Sequence, residues 1–165
     1  MLGTVISGER RIGGATLEAR VKKAASGFLS LGLKEGDRVA ILMRNDIAFL
    51  EATFACGELG LYPVPVNWHF SADETAYVLK DSEARALVVH ADLLPAIADS
   101  VPDNVEVIIV ETPSEVRSAY GVAGEEALVP DGVRDWDKWL EEQVPYAGEP
   151  KAAPASMIYT SGTTG

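Results

Sequence analysis

Cysteine is almost absent from this sequence of 165 residues, and its absence limits both the fold and the chemistry. Because Cys56 is the only cysteine, the chain cannot form an internal disulfide. The surrounding stretch EATFACGEL is apolar and typical of a helix, so Cys56 is expected to be a small core residue. A catalytic thiol needs a histidine partner, and the sequence offers no such pairing. This cysteine usage fits a reducing cytoplasm.

Basic residues are scarce too: 14 Lys and Arg oppose 25 Asp and Glu, which gives a formal net charge of −11. Residues 99–149 contain most of the excess, with 13 acidic and three basic residues. We expect no nucleic-acid partner, because there is no basic patch and a broad acidic field repels phosphates. No run of about 18 apolar residues is present. No transmembrane segment is therefore expected. MLGTVISGERR also lacks the apolar run of a signal peptide.

The apolar periodicity that is present predicts alternating strands and helices. TVISGERRI is typical of a hairpin. A helix over 15–31, ended by Gly32, and a strand over 38–43 come next. A second helix runs from Asn45 or Asp46 to residue 59, is ended by Gly60 and is followed by the edge segment YPVPV. The later elements are the capping-box helix SADETAYVLKDS, the strand ARALVVH, the short helix DLLPAIADS and the strand VEVIIVE. This order predicts an α/β fold: a layered, parallel-rich sheet with flanking helices.

The rest of the chain is less regular. Residues 111–135 show no period and are interpreted as an acidic irregular excursion. WDKWLEEQV predicts a short helix with Trp136 and Trp139 as packing anchors. Residues 147–155 are expected to form a linker, and SMIYT is expected to return to the sheet as a strand.

The chain closes on TSGTTG, directly after that predicted strand. Glycines allow successive backbone N–H groups to converge on one point, and such a nest binds anions. Hydroxyl groups add neutral donors, and ligands usually bind at the carboxyl ends of α/β strands. The loop therefore favours a polyphosphate ligand, although a flexible polar tail has the same composition. The classical P-loop and the dinucleotide-binding fingerprint are both absent.

YTSGTTG resembles the opening of the phosphate-binding loop of the adenylate-forming superfamily, which continues with any residue and then Pro-Lys-Gly. The stretches GERRIGGATLEARVKKAASGFLSLGLKEGDRVAILMRND, FLEATFACGELGLYPVPVN and NWHFSADETAYVLKDSEARALVV resemble the N-terminal region of its acyl-CoA synthetases. The resemblance implies that residues 1–165 are an incomplete N-terminal subdomain of a larger adenylate-forming domain, of the fatty-acid–CoA ligase type. Gly13 replaces the threonine that usually caps the first helix, and fewer residues precede the hairpin.

The resemblance also implies a reaction. A carboxylic acid attacks ATP to give an acyl-adenylate and pyrophosphate, and the acyl group then passes to CoA. The residues that would hold the β- and γ-phosphates are Thr160, Ser161, Gly162, Thr163, Thr164 and Gly165. Thr160 would also lie near Mg²⁺. No catalytic residue is expected within residues 1–165, so this piece alone is predicted to be inactive. The implied partners are the acid, ATP, CoA and the remainder of the enzyme, and a homodimer is compatible with the sequence.

Several alternatives stay open from the sequence. The chain could belong to an aryl-acid CoA ligase or to a peptide-synthetase-type adenylation domain. It could also be a nucleotide-binding module without catalysis, or an interaction fragment whose sheet edge needs a partner. His69 and His90 could each line a ligand surface, but structural roles are favoured for both. Trp68 is interpreted as a packing residue.

Overall fold

The structure is a computed structural model that describes residues 3–160. Its strands are β1 (Val5–Ser7), β2 (Arg10–Ile12), β3 (Arg38–Leu42), β4 (Tyr62–Pro65), β5 (Ala84–His90) and β6 (Glu106–Val110). Its helices are α1 (Gly14–Ser30), α2 (Ile47–Leu59), α3 (Ala72–Asp81), α4 (Ser114–Tyr120) and α5 (Trp136–Glu141). Within the described residues, no helix has the length and apolar content needed to cross a membrane.

The main sheet has four parallel strands in the order β4-β3-β5-β6. β1 and β2 form a separate antiparallel hairpin. The expected parallel α/β fold is therefore confirmed, and YPVPV is an edge strand as predicted. Proline is tolerated there because an edge strand has one side on which no ladder hydrogen bond is made.

Side chains that alternate along the central strands form two cores on opposite faces of the sheet. On one face the strands pack against α1, α2 and α5, and Ile41, Val88 and Phe28 are fully buried there. On the other face they pack against α3, with Leu87 and Leu79 in the core. Burial on both faces explains why these strands read as continuous apolar runs in the sequence.

Local capping signals set the helix ends as the sequence predicts. The Asp46 side chain accepts a hydrogen bond from the Ile47 N–H at the start of α2. Ser71 and Glu74 form the predicted capping box of α3, in which each side chain satisfies the other residue's backbone N–H. Gly60 ends α2 with φ of 68°, a left-handed conformation that glycine adopts at little cost.

Two segments between β5 and α5 differ from the prediction. The short helix predicted for DLLPAIADS is present only at Ala98–Ser100, as a 3₁₀ helix, and turns take its place over residues 92–97. The N–H groups of Ile97 and Ser100 bond to carbonyls only three residues earlier, and Pro95 has no N–H to donate. A stretch this short has too little intrinsic helix stability to resist such turns.

The interval 111–135 contains α4, a helix that its lack of period did not predict. One residue of α4, Val116, is buried, so the helix has too short an apolar face to show a period. The interval is also tied to the sheet, because the Ile109 N–H of β6 donates to the Arg134 carbonyl at 2.8 Å.

The tryptophans of α5 are packing anchors, as predicted. Trp136 and Trp139 are both buried and their rings contact Phe28 of α1. The Trp136 indole N–H donates to the carboxylate of Glu51 at 2.8 Å, which satisfies its one buried donor. Cys56 is fully buried, and burial raises the pKa of its thiol, so it is the inert core residue expected from its surroundings.

Candidate functional site

The segment that leads to the predicted phosphate loop lies along the outer edge of β4. The Lys151 N–H donates to the Glu58 carbonyl at 3.0 Å, and the Met157 N–H donates to the Pro63 carbonyl at 2.9 Å. Residues 156–160 form no strand, so the prediction for SMIYT was wrong. A β-bridge needs two backbone hydrogen bonds between the paired segments. The second bond here would have to be donated by the N–H of residue 63 or 65, and both residues are prolines, which have no N–H.

Thr160 is the one predicted loop residue within the described part of the chain, and it is exposed. Ser161, Gly162, Thr163, Thr164 and Gly165 lie outside the described residues. Thr160 borders a cup of about 330 Å³ that also involves Tyr159 and residues of α3 and the turn before it: Phe70, Asp73, Glu74, Tyr77 and Val78. Phe70, Asp73 and Glu74 of this cup lie at or just before the start of α3, which follows the carboxyl end of β4, the end at which ligands usually bind in α/β sheets.

Tyr159 is joined to α3 by a side-chain hydrogen bond. Its hydroxyl donates to the Asp81 carboxylate at 2.7 Å, across 78 positions of sequence. Its ring meets Tyr77 edge to face, with centroids 6.3 Å apart. Burial and the neighbouring Asp81 carboxylate raise the pKa of Tyr159 to about 12, because both favour the neutral phenol. The hydroxyl therefore remains a donor at any physiological pH.

A second polar group lies at the carboxyl ends of β3 and β5. Fully buried His90 ends β5, and its Nε2 lies 3.2 Å from the Asp46 carboxylate. Its Nδ1 accepts the Arg44 backbone N–H at 3.4 Å. These partners suit a neutral imidazole that donates from Nε2. Burial opposes ionisation of Asp46, but hydrogen bonds from His90 and Arg10 outweigh it and hold the pKa of that carboxyl below its usual range.

Arg44 extends this group towards α4. Its guanidinium donates to the Asp92 carboxylate at 2.7 Å, and Asp92 in turn accepts the Thr112 hydroxyl at 2.6 Å. The same guanidinium lies 4.9 Å from the ring centroid of Trp68 and 4.7 Å from that of Tyr120. Arg44 thus links the turn before α3 to the end of α4, and its charge is balanced by Asp92.

The structural roles favoured for the two histidines and Trp68 fit these contacts. His90 is buried and hydrogen-bonded on both ring nitrogens. His69 is exposed and stacks on Trp68, while its backbone N–H donates to the Asn67 side chain. Sequence reasoning did not identify Asp81 or Tyr159 as parts of the site. A signal existed for Asp81, because an acid at the last residue of a helix opposes the helix dipole.

The capacity of the site for a metal ion is small in the described part of the chain. Within residues 3–160, no group of three or more His, Cys, Asp or Glu side chains is arranged to hold a metal ion. The exposed Thr160 hydroxyl can supply one neutral oxygen ligand. This suits Mg²⁺, which usually keeps several waters and binds through few protein oxygens plus substrate phosphates.

Comparison with known proteins identifies relatives along the whole chain. The family model described as "AMP-binding enzyme" matches residues 3–165. A feruloyl-CoA synthase from Amycolatopsis is 40% identical over 87 residues, covering 51% of this chain and 18% of the relative. A long-chain-fatty-acid–CoA ligase from Thermus thermophilus is 30% identical over 151 residues, covering 92% and 26%. A crotonobetaine/carnitine–CoA ligase from Salmonella agona is 28% identical over 159 residues, covering 94% and 29%.

Solved structures agree on the fold. An anthranilate CoA ligase in complex with anthranoyl-AMP matches with a TM-score of 0.80 at 22% identity, covering 99% of this chain and 30% of that one. A benzoate CoA ligase from Burkholderia xenovorans matches with a TM-score of 0.72 at 18% identity, covering 90% and 27%. The chain thus spans less than a third of the length of each of these proteins. Because the family model matches all but the first two residues, the chain belongs to the AMP-binding, adenylate-forming enzyme family.

Proposed function

We propose that residues 1–165 are the N-terminal part of an ATP-dependent acyl-CoA synthetase. The complete enzyme joins a carboxylic acid to ATP as an acyl-adenylate, releases pyrophosphate and transfers the acyl group to CoA. A single buried cysteine suits a reducing compartment, so the proposal includes a cytoplasmic location. The observation that supports it best is the family match, which runs from residue 3 through the loop YTSGTTG.

The proposal gives the loop the task of holding the outer phosphates of ATP. Backbone N–H groups of Ser161, Gly162, Thr163, Thr164 and Gly165, with the Thr160 hydroxyl, would cradle the β- and γ-phosphates. Bound Mg²⁺ would offset phosphate charge, with the Thr160 oxygen close to it. Catalysis by such a loop consists of positioning and charge stabilisation. The activating lysine and the acid-binding residues belong to the remainder of the enzyme.

An aryl-acid CoA ligase is the second candidate. The relative with 40% identity is named for feruloyl-CoA, and the two solved structures above are named for anthranilate and benzoate. The Thermus thermophilus relative, which matches over more of this chain, is named for long-chain fatty acids. Both candidates perform the same two steps and differ in the acid that is activated.

Acid-dependent exchange of pyrophosphate into ATP tests the proposal in the complete enzyme. A panel of fatty, aryl and short-chain acids is offered with Mg²⁺, and CoA thioester formation is then measured for any acid that supports exchange. We expect exchange with a long-chain fatty acid, and exchange with only an aryl acid would select the second candidate. Gly162→Val is expected to abolish exchange, because its side chain would occupy the anion nest. An enzyme that exchanges with no acid would refute the proposed function.

The 165-residue chain alone should not support exchange, since the proposal leaves it without a catalytic residue. Micromolar binding of ATP to this chain, lost in Gly162→Val, would instead favour a nucleotide-binding module. Equilibrium dialysis with labelled ATP separates the two cases without depending on turnover.

A further inference from the structure

We propose that Tyr159 is a positioning residue for the phosphate loop: its bond to Asp81 fixes the direction in which the chain enters that loop. The inference rests on the proposed function and adds to it two residues, Tyr159 and Asp81, that lie outside the loop TSGTTG. Tyr159 immediately precedes Thr160, the first loop residue, so a rotation of the chain at Tyr159 reorients Thr160 directly.

The approach to the loop has few other attachments. Residues 150–160 contain no helix or strand, and the Met157 N–H to Pro63 carbonyl bond is isolated. A strand in this place would be held by a ladder of hydrogen bonds, but the prolines of β4 remove the return donors. The Lys151 N–H to Glu58 carbonyl bond lies eight residues before Tyr159. Closer to the loop, Met157 and Tyr159 pack against the core on the α3 face of the sheet, and Ile158 is 70% exposed.

Asp81 is a fixed point from which to hold this segment. It is the last residue of α3, which begins with a complete capping box and buries Val78 and Leu79 against the sheet. A carboxylate at the C-terminus of a helix is unfavourable with the helix dipole, so Asp81 does not serve the stability of α3 itself. Within residues 3–160 it forms no ion pair, and its carboxylate accepts the Tyr159 hydroxyl.

Positioning matters for this loop because its amides must converge on phosphate oxygens. A loop whose entry is not fixed loses conformational freedom when ATP binds, and that loss weakens binding. The bond from Tyr159 removes part of this freedom before ATP arrives. Loss of this bond should therefore raise KM for ATP and leave KM for the acid unchanged.

The test uses steady-state exchange kinetics of the complete enzyme with Tyr159→Phe, Asp81→Ala and the double variant. Phenylalanine keeps the ring that packs on the sheet and meets Tyr77, so the fold is preserved. Tyr62→Phe is the matched control, because it removes a hydroxyl from a ring that is 37% exposed and lies outside the cup beside Thr160. Asp81→Asn keeps one acceptor oxygen for the Tyr159 hydroxyl, so its KM for ATP should lie between those of the wild type and Asp81→Ala.

Tyr159→Phe is expected to raise KM for ATP about five-fold, a size typical of one lost hydrogen bond to a charged group in a partly exposed place. KM for the acid and the melting temperature should stay at the wild-type values. Asp81→Ala should raise KM for ATP by the same factor as Tyr159→Phe. The double variant should raise it no further than either single variant. An effect equal to that of Tyr62→Phe, or equal rises in both KM values, would overturn the positioning role. Wild-type enzyme without exchange would instead refute the proposed function.

Discussion

Asp46 combines three duties in one buried carboxylate. It caps α2, accepts the hydrogen bond of His90 and pairs with Arg10, while its side chain is only 2% exposed. A group with so many partners in its charged form is costly to neutralise. The polar ends of β3 and β5 therefore depend on the ionised state of this residue.

Asp46→Asn should lower the free energy of unfolding at pH 7 by about 2 kcal/mol, because the amide keeps the cap but loses two charge-assisted bonds. The lowered pKa of Asp46 sets the sign of its pH dependence. Its contribution is complete above the usual aspartate pKa of about 3.9 and is lost as the pH falls through the lower folded-state pKa. Urea denaturation from pH 7 to pH 3 measures both effects.

Asp103→Asn is the matched control, since Asp103 is exposed in a turn. We expect its stability to follow the wild type at each pH. If Asp46→Asn lost as much stability between pH 5 and pH 3 as the wild type does, Asp46 would not be a source of the acid sensitivity.

The sequence shows contiguous site residues better than distant ones. YTSGTTG is recognisable because its seven residues are adjacent. The bond from Tyr159 to Asp81 spans 78 positions, and that from Thr112 to Asp92 spans 20, so neither pairing has a local pattern. Such partners are chosen by the packing of whole elements, which a single sequence does not display.

The contrast between local and distant signals also holds for helices and strands. α2 and α3 were predicted because caps and glycines act over three or four residues. α4 was missed because one buried residue gives no period. SMIYT was assigned to a strand on its own composition, yet a strand also needs donors from its neighbour, and the prolines of β4 deny them.

The contact of α1 with α5 provides a prediction for packing between elements. A Cβ added at Gly27 of α1 would lie 2.4 Å from the Trp139 ring of α5, which is itself buried. Gly27→Ala should lower the free energy of unfolding by about 1–2 kcal/mol, because overpacking exceeds the gain in helix propensity. Thermal unfolding followed by circular dichroism measures the change.

Gly57→Ala in α2 is the internal control. Its added Cβ would meet the Ala153 Cβ at 3.4 Å, an ordinary contact, so the helix-propensity gain should leave this variant as stable as the wild type or more stable. Equal destabilisation by both substitutions would mean that the Trp139 contact is not responsible.

At the scale of the whole molecule, both edges of the parallel sheet have outward N–H positions that are blocked or already bonded. The β4 donors Tyr62 and Val66 face β3, so the intervening Pro63 and Pro65 occupy the positions that would offer N–H groups outward. On the other edge, the Ile109 N–H of β6 donates to the Arg134 carbonyl at 2.8 Å. An edge with fewer free donors is a weaker template for pairing with another chain. This argues against the reading of the chain as an interaction fragment with an open sheet edge.

The 165-residue chain should therefore sediment as a monomer, and restoring the outward donors should change that. Pro63→Val with Pro65→Val supplies two N–H groups and two strand-forming side chains on the β4 edge. Residues 156–160 border this edge through one backbone bond, so we expect a second chain to compete for the new donors and self-association to grow with concentration. Pro150→Val places the same substitution at an exposed position of the preceding segment and should remain monomeric. Sedimentation velocity across a wide range of concentrations distinguishes them. Association of the wild type, or a monomeric double variant, would show that the prolines are not what protects this edge.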